Sequence, residues 1–242
     1  ITGGTIVLNK DDKFFYYLRA KALKRKLKII SFGAKNEADV KLVKILKQKS
    51  KLILNIKINN KIKKIFIKKC FENYVVNILP AIAAISNFID IKKIKKNIFY
   101  NFKPYNGRGD FKKVKINGKT INVIDESYNS NPLSLEFAIN NFDKIKILPK
   151  SKYILLADML ELGKFSKKLH KEASKIVNKS NIDKVFVYGK DIKKTFSKIK
   201  TKKKGKILNS KKDILDLMKN HLTNNDYLMV KGSNATGLNE MM

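Results

Sequence analysis

The second half of the chain repeats one pattern: a short run rich in Val, Ile, Leu and Tyr, then a longer stretch with apolar residues every three or four positions. Runs at 119–125, 153–157, 184–188, 206–208 and 227–230 read as strands. A helix starting at Pro132 and the stretches 167–179, 191–199 and 210–221 read as amphipathic helices. Apolar strands alternating with such helices bury both faces of a sheet, which requires parallel strands with helices on each side. The expected class is α/β, with a Rossmann-like unit in this half. Folds of this kind bind ligands beyond the carboxyl ends of their strands. That directs attention to the loops 125–132, 158–163, 189–191 and 231–237.

The first half is less regular. A strand is expected at 5–8, followed by a helix from Asp11, whose carboxylate can cap the first turn, to Lys26. A second strand, 28–32, closes on Gly33. From Lys51 strict alternation places Ile53, Ile56, Ile58, Ile62, Ile65 and Ile67 among Lys and Asn, with Asn59-Asn60 at the reversal, the pattern of a β-hairpin. Helices are expected at 72–88 and 90–100. The stretch 102–109 holds one proline and two glycines and is the best linker in the chain, giving domains 1–103 and 104–242. Beyond it, 112–116 and 119–125 read as a hairpin turning on Asn117-Gly118.

Composition narrows the functional classes. At 43% apolar residues the chain is too hydrophobic to be disordered, despite a formal net charge of +34. Such a charge suggests nucleic acid or an anionic membrane, but arginine occurs only at Arg19, Arg25 and Arg108, and every other basic residue is lysine. Phosphate and base-edge recognition favours arginine's bidentate fork, and the lysines are dispersed, so they read as a compositional bias forming solvated faces. A basic nucleic-acid-binding module is the first rival reading. One cysteine, Cys70, excludes a disulfide framework and points to a reducing compartment. The most apolar stretch, 75–89, is shorter than the ~20 residues that span a bilayer.

Local motifs differ in weight. Asn117-Gly-Lys-Thr120 imitates the end of a phosphate-binding loop, but the required first glycine is Lys113, and a strand rather than a helix follows. His170 and His221 lack a second ligand at helical spacing, so no metal site is expected at either. The stretch 125–132, DESYNSNP, leaves a strand with polar groups and enters a helix at Pro132, with Asn131 as its cap. In 231–237, KGSNATG, a lysine, glycines and hydroxyls converge where backbone amides can hold an anion.

Together, NGRG at 106–109, DESYNSNP at 125–132, DMLELG at 158–163 with His170 beyond it, and VKGS at 230–233 resemble the Mur ligases. Within that family they are most similar to the branch that adds D-alanyl-D-alanine to UDP-N-acetylmuramoyl-tripeptide. The start, GTIVLNKDD at 4–12, resembles a strand late in the family's central domain, and NILPAIA at 77–83 its nucleotide-side helix. The resemblance implies that 1–103 is the later, incomplete part of the central ATP-binding domain. It implies equally that 104–242 is the carboxyl-terminal ligase domain with its last helix truncated. In the family the phosphate-gripping loop, the magnesium ligands, the carbamylated lysine and the UDP-sugar domain lie upstream of the position matching Ile1. The expectation is therefore the later half of a ligase, inactive alone and carrying no catalytic or metal-binding residue of its own.

The implied reaction is cytoplasmic and uses ATP and Mg2+. The tripeptide carboxylate becomes an acyl phosphate, the dipeptide amine attacks it, and phosphate leaves. By the same resemblance Asn77, Arg108, Asp125 and Asn129 bind the nucleotide, Asn77 at the adenine and Asp125 at the ribose. Lys231 and Ser233 bind the dipeptide. A monomer is the expectation, though nothing in the sequence fixes the oligomeric state. Two departures stand out: Phe71-Glu72-Asn73-Tyr74 replaces the family's Gly-x-His-Asn, and Asn234 stands where arginine is frequent after VKGS. A second rival is a related ligase of the folate-glutamate or cyanophycin type.

Overall fold

In a computed structural model the described residues are 3–102, 105–145 and 151–241. The chain divides into two compact units, Ile1–Lys103 and Pro104–Met242. Lys103 and Pro104, where the sequence places the junction, lie outside the described residues, as do the side chains of Cys70 and Asn73.

The first unit is a five-stranded sheet ordered β1-β2-β3-β4-β5. Its strands are β1 (Thr5–Asn9), β2 (Lys28–Gly33), β3 (Val40–Lys47), β4 (Lys51–Ile58) and β5 (Lys61–Lys68), with helices α1 (Phe15–Lys24) and α2 (Val75–Ser86). Strands β1 to β3 are parallel, and β3 to β5 antiparallel. The alternation of β4 buries Leu52, Leu54, Ile56 and Ile58 on one face, in one core with Val75, Ile78, Leu79, Ile82 and Ala83 of α2. Each such aliphatic contributes about 1.5–3 kcal/mol by leaving water. Asn59 and Asn60 take positive φ of 46° and 61°, as a two-residue hairpin turn demands.

Several expectations fail in this unit. Asp11 does not cap α1; its carboxylate accepts the backbone N–H groups of Ala34, Lys35 and Asn36 at 2.6, 3.0 and 2.8 Å, tying the loop after β2 to that after β1. Helix α1 starts only at Phe15, because Asp12 turns the chain first by accepting from Phe14 N. The helix expected at 90–100 is absent: Asp90 caps one 3-10 turn, Ile91–Lys93, after which Ile94 turns extended and drops into the core. Finally, β3 was not expected, since Leu42, Val43, Ile45 and Leu46 among lysines fit a helical period as well as a strand. Helix α2 is also preceded by a 3-10 segment, Lys69–Tyr74, and begins later than 72.

The second unit is the parallel α/β layer anticipated from the repeats. Its strands are β6 (Asp110–Ile116), β7 (Lys119–Glu126), β8 (Lys152–Ala157), β9 (Lys184–Tyr188), β10 (Lys204–Leu208) and β11 (Tyr227–Lys231). Their order is β10-β9-β8-β11-β7-β6, and only β6 runs antiparallel to its neighbour. Asn117 and Gly118, with φ of 48° and 72°, make a hairpin turn, so the phosphate-loop lookalike is a turn. Helices α3 (Pro132–Asp143) and α4 (Ser166–Lys179) pack on one face with Ile192 and Ile199, which flank α5 (Lys193–Lys198). Helix α6 (Lys211–Asp216) and Leu238 pack on the other. Loops after β7, β8 and β9 therefore lead to one face, and those after β10 and β11 to the opposite one.

Candidate functional site

Five of the six residues singled out by sequence lie in the second unit, on or beside the loops at the carboxyl ends of β7 and β11. The loop before β6 is pinned there by backbone bonds: Gly109 N donates to Asp125 O at 2.8 Å and Tyr128 N to Gly107 O at 3.0 Å. Gly107 has φ +76°, and a Cβ on it would lie 2.9 Å from Tyr128 N, so glycine is needed both for the turn and for the close approach. The result sets the Arg108 guanidinium over the Tyr128 ring at 4.3 Å, an arrangement that fixes a planar cation beside a loop of polar groups.

Asp125, at the end of β7, is only 2% exposed. Lys112 on β6 donates to its Oδ2 at 2.9 Å, while Ser127 N and Oγ donate to Oδ1. Asn129, next along the loop, is exposed, and its carbonyl accepts from Lys231 Nζ at 2.7 Å. Asn131 then caps α3, accepting from Ser134 N at 2.8 Å in a reciprocal capping box.

Lys231, the last residue of β11, is buried at 1% exposure. Besides the Asn129 carbonyl, its ammonium faces the Glu126 carboxylate at 3.7 Å. Burial holds the Lys231 pKa below the ordinary lysine value, against the attraction of Glu126. Burial likewise lifts the Glu126 carboxyl above the ordinary value, Lys231 opposing and Asp125 reinforcing. Ser233 is also buried; its Oγ accepts from Leu160 N at 2.9 Å and donates to Ser130 O at 3.5 Å, while its N–H donates to Asp158 O at 3.1 Å. Lys231 and Ser233 thus bind three loops together: 126–131, 158–160 and 231–233.

The 158–160 loop is held from its other side as well. His170, fully buried on α4, accepts the Met159 N–H at Nε2 (3.1 Å), with Nδ1 2.9 Å from Ser166 O. Asp158 accepts from Lys190 N at 2.9 Å and Ile192 N at 2.7 Å, linking the loop to that after β9. From the sequence Lys112 has no assigned part, Glu126 and Ser127 enter only as letters of DESYNSNP, and His170 only as a companion of DMLELG. Adjacency to Asp125 was the available signal for two of them, whereas Lys112 reaches Asp125 only through hairpin register. Asn77 lies in the first unit, exposed on α2. Among the described residues no cluster of three or more His, Cys, Asp or Glu side chains is placed to hold a metal, and no helix is long and apolar enough to cross a membrane.

A family profile described as Mur ligase, glutamate ligase domain, matches residues 107–234. The UDP-N-acetylmuramoyl-tripeptide--D-alanyl-D-alanine ligase of Bacillus subtilis (strain 168) is 31% identical over 125 residues, which is 50% of this chain and 27% of that protein. The ligase of the same name from Rickettsia prowazekii (strain Madrid E) is 26% identical over 219 residues, 88% of this chain and 46% of that one. Among solved structures, the MurF ligase of Thermotoga maritima in complex with ADP superimposes with a TM-score of 0.71 at 20% identity, over 99% of this chain and 52% of that one. MurF from Acinetobacter baumannii gives 0.75 at 20% identity, over 98% and 50%. These likenesses establish the shared α/β fold, and the profile match makes the chain a member of the Mur ligase family. The chain spans less than half the length of the two curated relatives.

Proposed function

We propose that the chain acts in a ligase that joins D-alanyl-D-alanine to UDP-N-acetylmuramoyl-tripeptide at the expense of ATP, in the cytoplasm. The observation that carries this is the single constellation at the ends of β7 and β11, in which Arg108, Asp125, Lys231 and Ser233 are brought together by loops lying within the stretch matched to the family. In this reading ATP converts the tripeptide carboxylate into an acyl phosphate and ADP; the dipeptide amine then adds to the acyl carbon, loses a proton, and phosphate departs. The residues present supply positioning and electrostatics. Arg108 meets the phosphates with the fork of donors that suits them, and the 125–129 loop borders the nucleotide, Asp125 arriving there as a pair with Lys112. Asn77 is assigned to the adenine. Mg2+ belongs to the same proposal, although among the described residues no acidic cluster fits it.

Phosphate release by the protein as its gene encodes it should depend on the tripeptide nucleotide and D-alanyl-D-alanine together, with the ligated product visible by mass spectrometry. An Arg108→Ala variant should lose about two orders of magnitude in ligation, the scale of one preorganised donor to developing charge, while melting as the parent does. Turnover that is independent of the dipeptide, or near-normal rates in the variant, would reject the assignment.

A further inference from the structure

Acidic residues are unevenly placed along the first unit. The stretch 13–36 holds eight basic residues and no acid, and the stretch 40–71 holds eleven lysines and no acid. A compositional surplus of lysine accounts for the cations. It does not account for this clearing of carboxylates, nor for the presence of two of the chain's three arginines, Arg19 and Arg25, in the first stretch. The acids between the stretches are engaged: Asp39 accepts from Ser31 N and Oγ, and Glu37 pairs with Lys57.

The fold puts both stretches on one side of the sheet. Val7 of β1 packs against the core that α2 covers, whereas its neighbour Leu8 is buried outside that core, as are Phe15 and Ala22 of α1. Alternation along the strand therefore sets α1 on the face away from α2. On β4 the same alternation turns Lys51 and Ile53 away from α2. Register brings Lys44 and Leu46 of β3, and Lys64, Phe66 and Lys68 of β5, to that side.

Helix α1 buries only Phe15 and Ala22. Tyr16 is 70% and Tyr17 61% exposed, and Phe14, Leu18 and Leu23 are exposed with them, interleaved with Arg19, Lys21, Lys24 and Arg25. The ammonium groups of Lys13, Lys10 and Lys21 stand over the Phe14, Tyr16 and Tyr17 rings at 4.9, 5.0 and 5.5 Å.

That mixture narrows what can cover this side. A protein layer laid over α1 would desolvate four cations with no acid on the helix to pair them, which is costly. Single-stranded nucleic acid is held in grooves with bare ring faces for stacking. Here the rings stand on the outer side of a helix, and Phe66, the aromatic of the sheet face, is overlaid by Lys51 at 4.7 Å and Lys96 at 5.5 Å. Anionic lipid headgroups meet both requirements. They supply counter-charge to dispersed ammonium groups without demanding a fixed geometry, and their boundary with the acyl chains accepts aromatic rings flanked by cationic side chains.

We infer that α1 and the β3–β5 face dock the first unit onto an anionic bilayer surface. Tyr16, Tyr17 and Leu23 enter the headgroup boundary, and the surrounding lysines and arginines face lipid phosphates. The contact requires no nucleotide or substrate, so it stands independently of the ligase reading.

The test is flotation of the protein, as its gene encodes it, with vesicles of equal parts phosphatidylglycerol and phosphatidylcholine, and with phosphatidylcholine alone. Binding should require phosphatidylglycerol. The R19Q/K21Q/K24Q variant should bind about a hundredfold more weakly, at about fivefold for each charge near the surface, and Y16S/Y17S about tenfold more weakly, as withdrawal of two rings from the boundary requires. An equally discharged control on α4, K167Q/K168Q/K171Q, replaces exposed lysines of the second unit and should weaken binding by no more than about threefold, since salt screens charges remote from the contact. In a Tyr17→Trp variant, the emission in excess of the parent's should shift to the blue on anionic vesicles and be quenched by brominated lipid. Equal binding to neutral vesicles, equal loss in the α4 control, or emission that vesicles leave unchanged would each overturn the inference. Emission already blue without vesicles would show that another part of the protein covers α1, and would overturn it too. Release from vesicles by oligothymidylate, at a lower phosphate concentration than the lipid supplies, would overturn it in favour of nucleic acid.

Discussion

Replacing Lys231 by methionine should cost the second unit about 1–3 kcal/mol at neutral pH, with the cost shrinking on acidification. Methionine keeps most of the buried chain length, so packing is largely preserved and the loss is electrostatic. The variant gives up the 2.7 Å bond to the Asn129 carbonyl and leaves Glu126 without its cation at 3.7 Å. A hydrogen bond from a charged donor contributes about 1.5–3 kcal/mol. Against this stands relief from burying an ammonium, the cause that already depresses Lys231's pKa. Glu126 sets the pH dependence. Its folded pKa is raised by burial, so its contribution to stability is complete below the unfolded carboxylate value of about 4.3 and is lost as pH rises through the folded one. Without Lys231, which pulls that pKa down, the loss is larger. The gap between parent and variant should therefore be widest near neutrality and narrow towards pH 4, where Glu126 is protonated in both. Urea unfolding followed by far-UV ellipticity at several pH values measures it, with amide exchange across 227–233 assigning the transition to the second unit. Equal midpoints at neutral pH, or a gap that widens on acidification, would refute the reasoning.

Three further perturbations test the surrounding architecture. Gly107→Ala places a Cβ against Tyr128 N at positive φ and should cost about 1–3 kcal/mol while weakening nucleotide binding; an unchanged melting curve would contradict the close approach. Asn131→Ala removes the α3 cap and should lower stability by about 1 kcal/mol in urea titrations; a stabilised variant would mean that the cap is strained. In Asp11, burial pushes the carboxyl up, but bonds from Asn36, Ala34 and Lys35 hold it below its ordinary value overall. Its stabilisation is thus present above the unfolded carboxylate range and fades as pH falls through the folded pKa. Asp11→Asn should accordingly lower the first unit's stability at neutral pH and approach the parent in acid, and a pH-independent difference would argue against it.

Much of the site is legible in the sequence. Asn131-Pro132 announces a capped helix because side-chain oxygen, backbone donor and fixed φ are local quantities, and the loops at 125–132, 158–163 and 231–237 follow from strand ends found by periodicity. The missing pieces are non-local. Lys112 meets Asp125 through the hairpin register that pairs β6 with β7, and His170 reaches Met159 N across the β8–α4 connection. Nothing around Asp11 reveals that three amides of a later loop will outbid its own helix for the carboxylate.

What the sequence determined by itself was periodicity and turn chemistry: alternating apolar runs set the strands, and Asn59-Asn60 and Asn117-Gly118 set the two hairpins, since both depend only on residues close along the chain. Tertiary structure alone decided that β11 inserts between β7 and β8. That insertion sinks Lys231 beneath the loop it holds, whereas Lys190 and Lys193, just after β9, stay exposed. The physical reason is that desolvation belongs to the surroundings: identical lysine side chains become a buried staple or a solvated surface charge according to what packs around them.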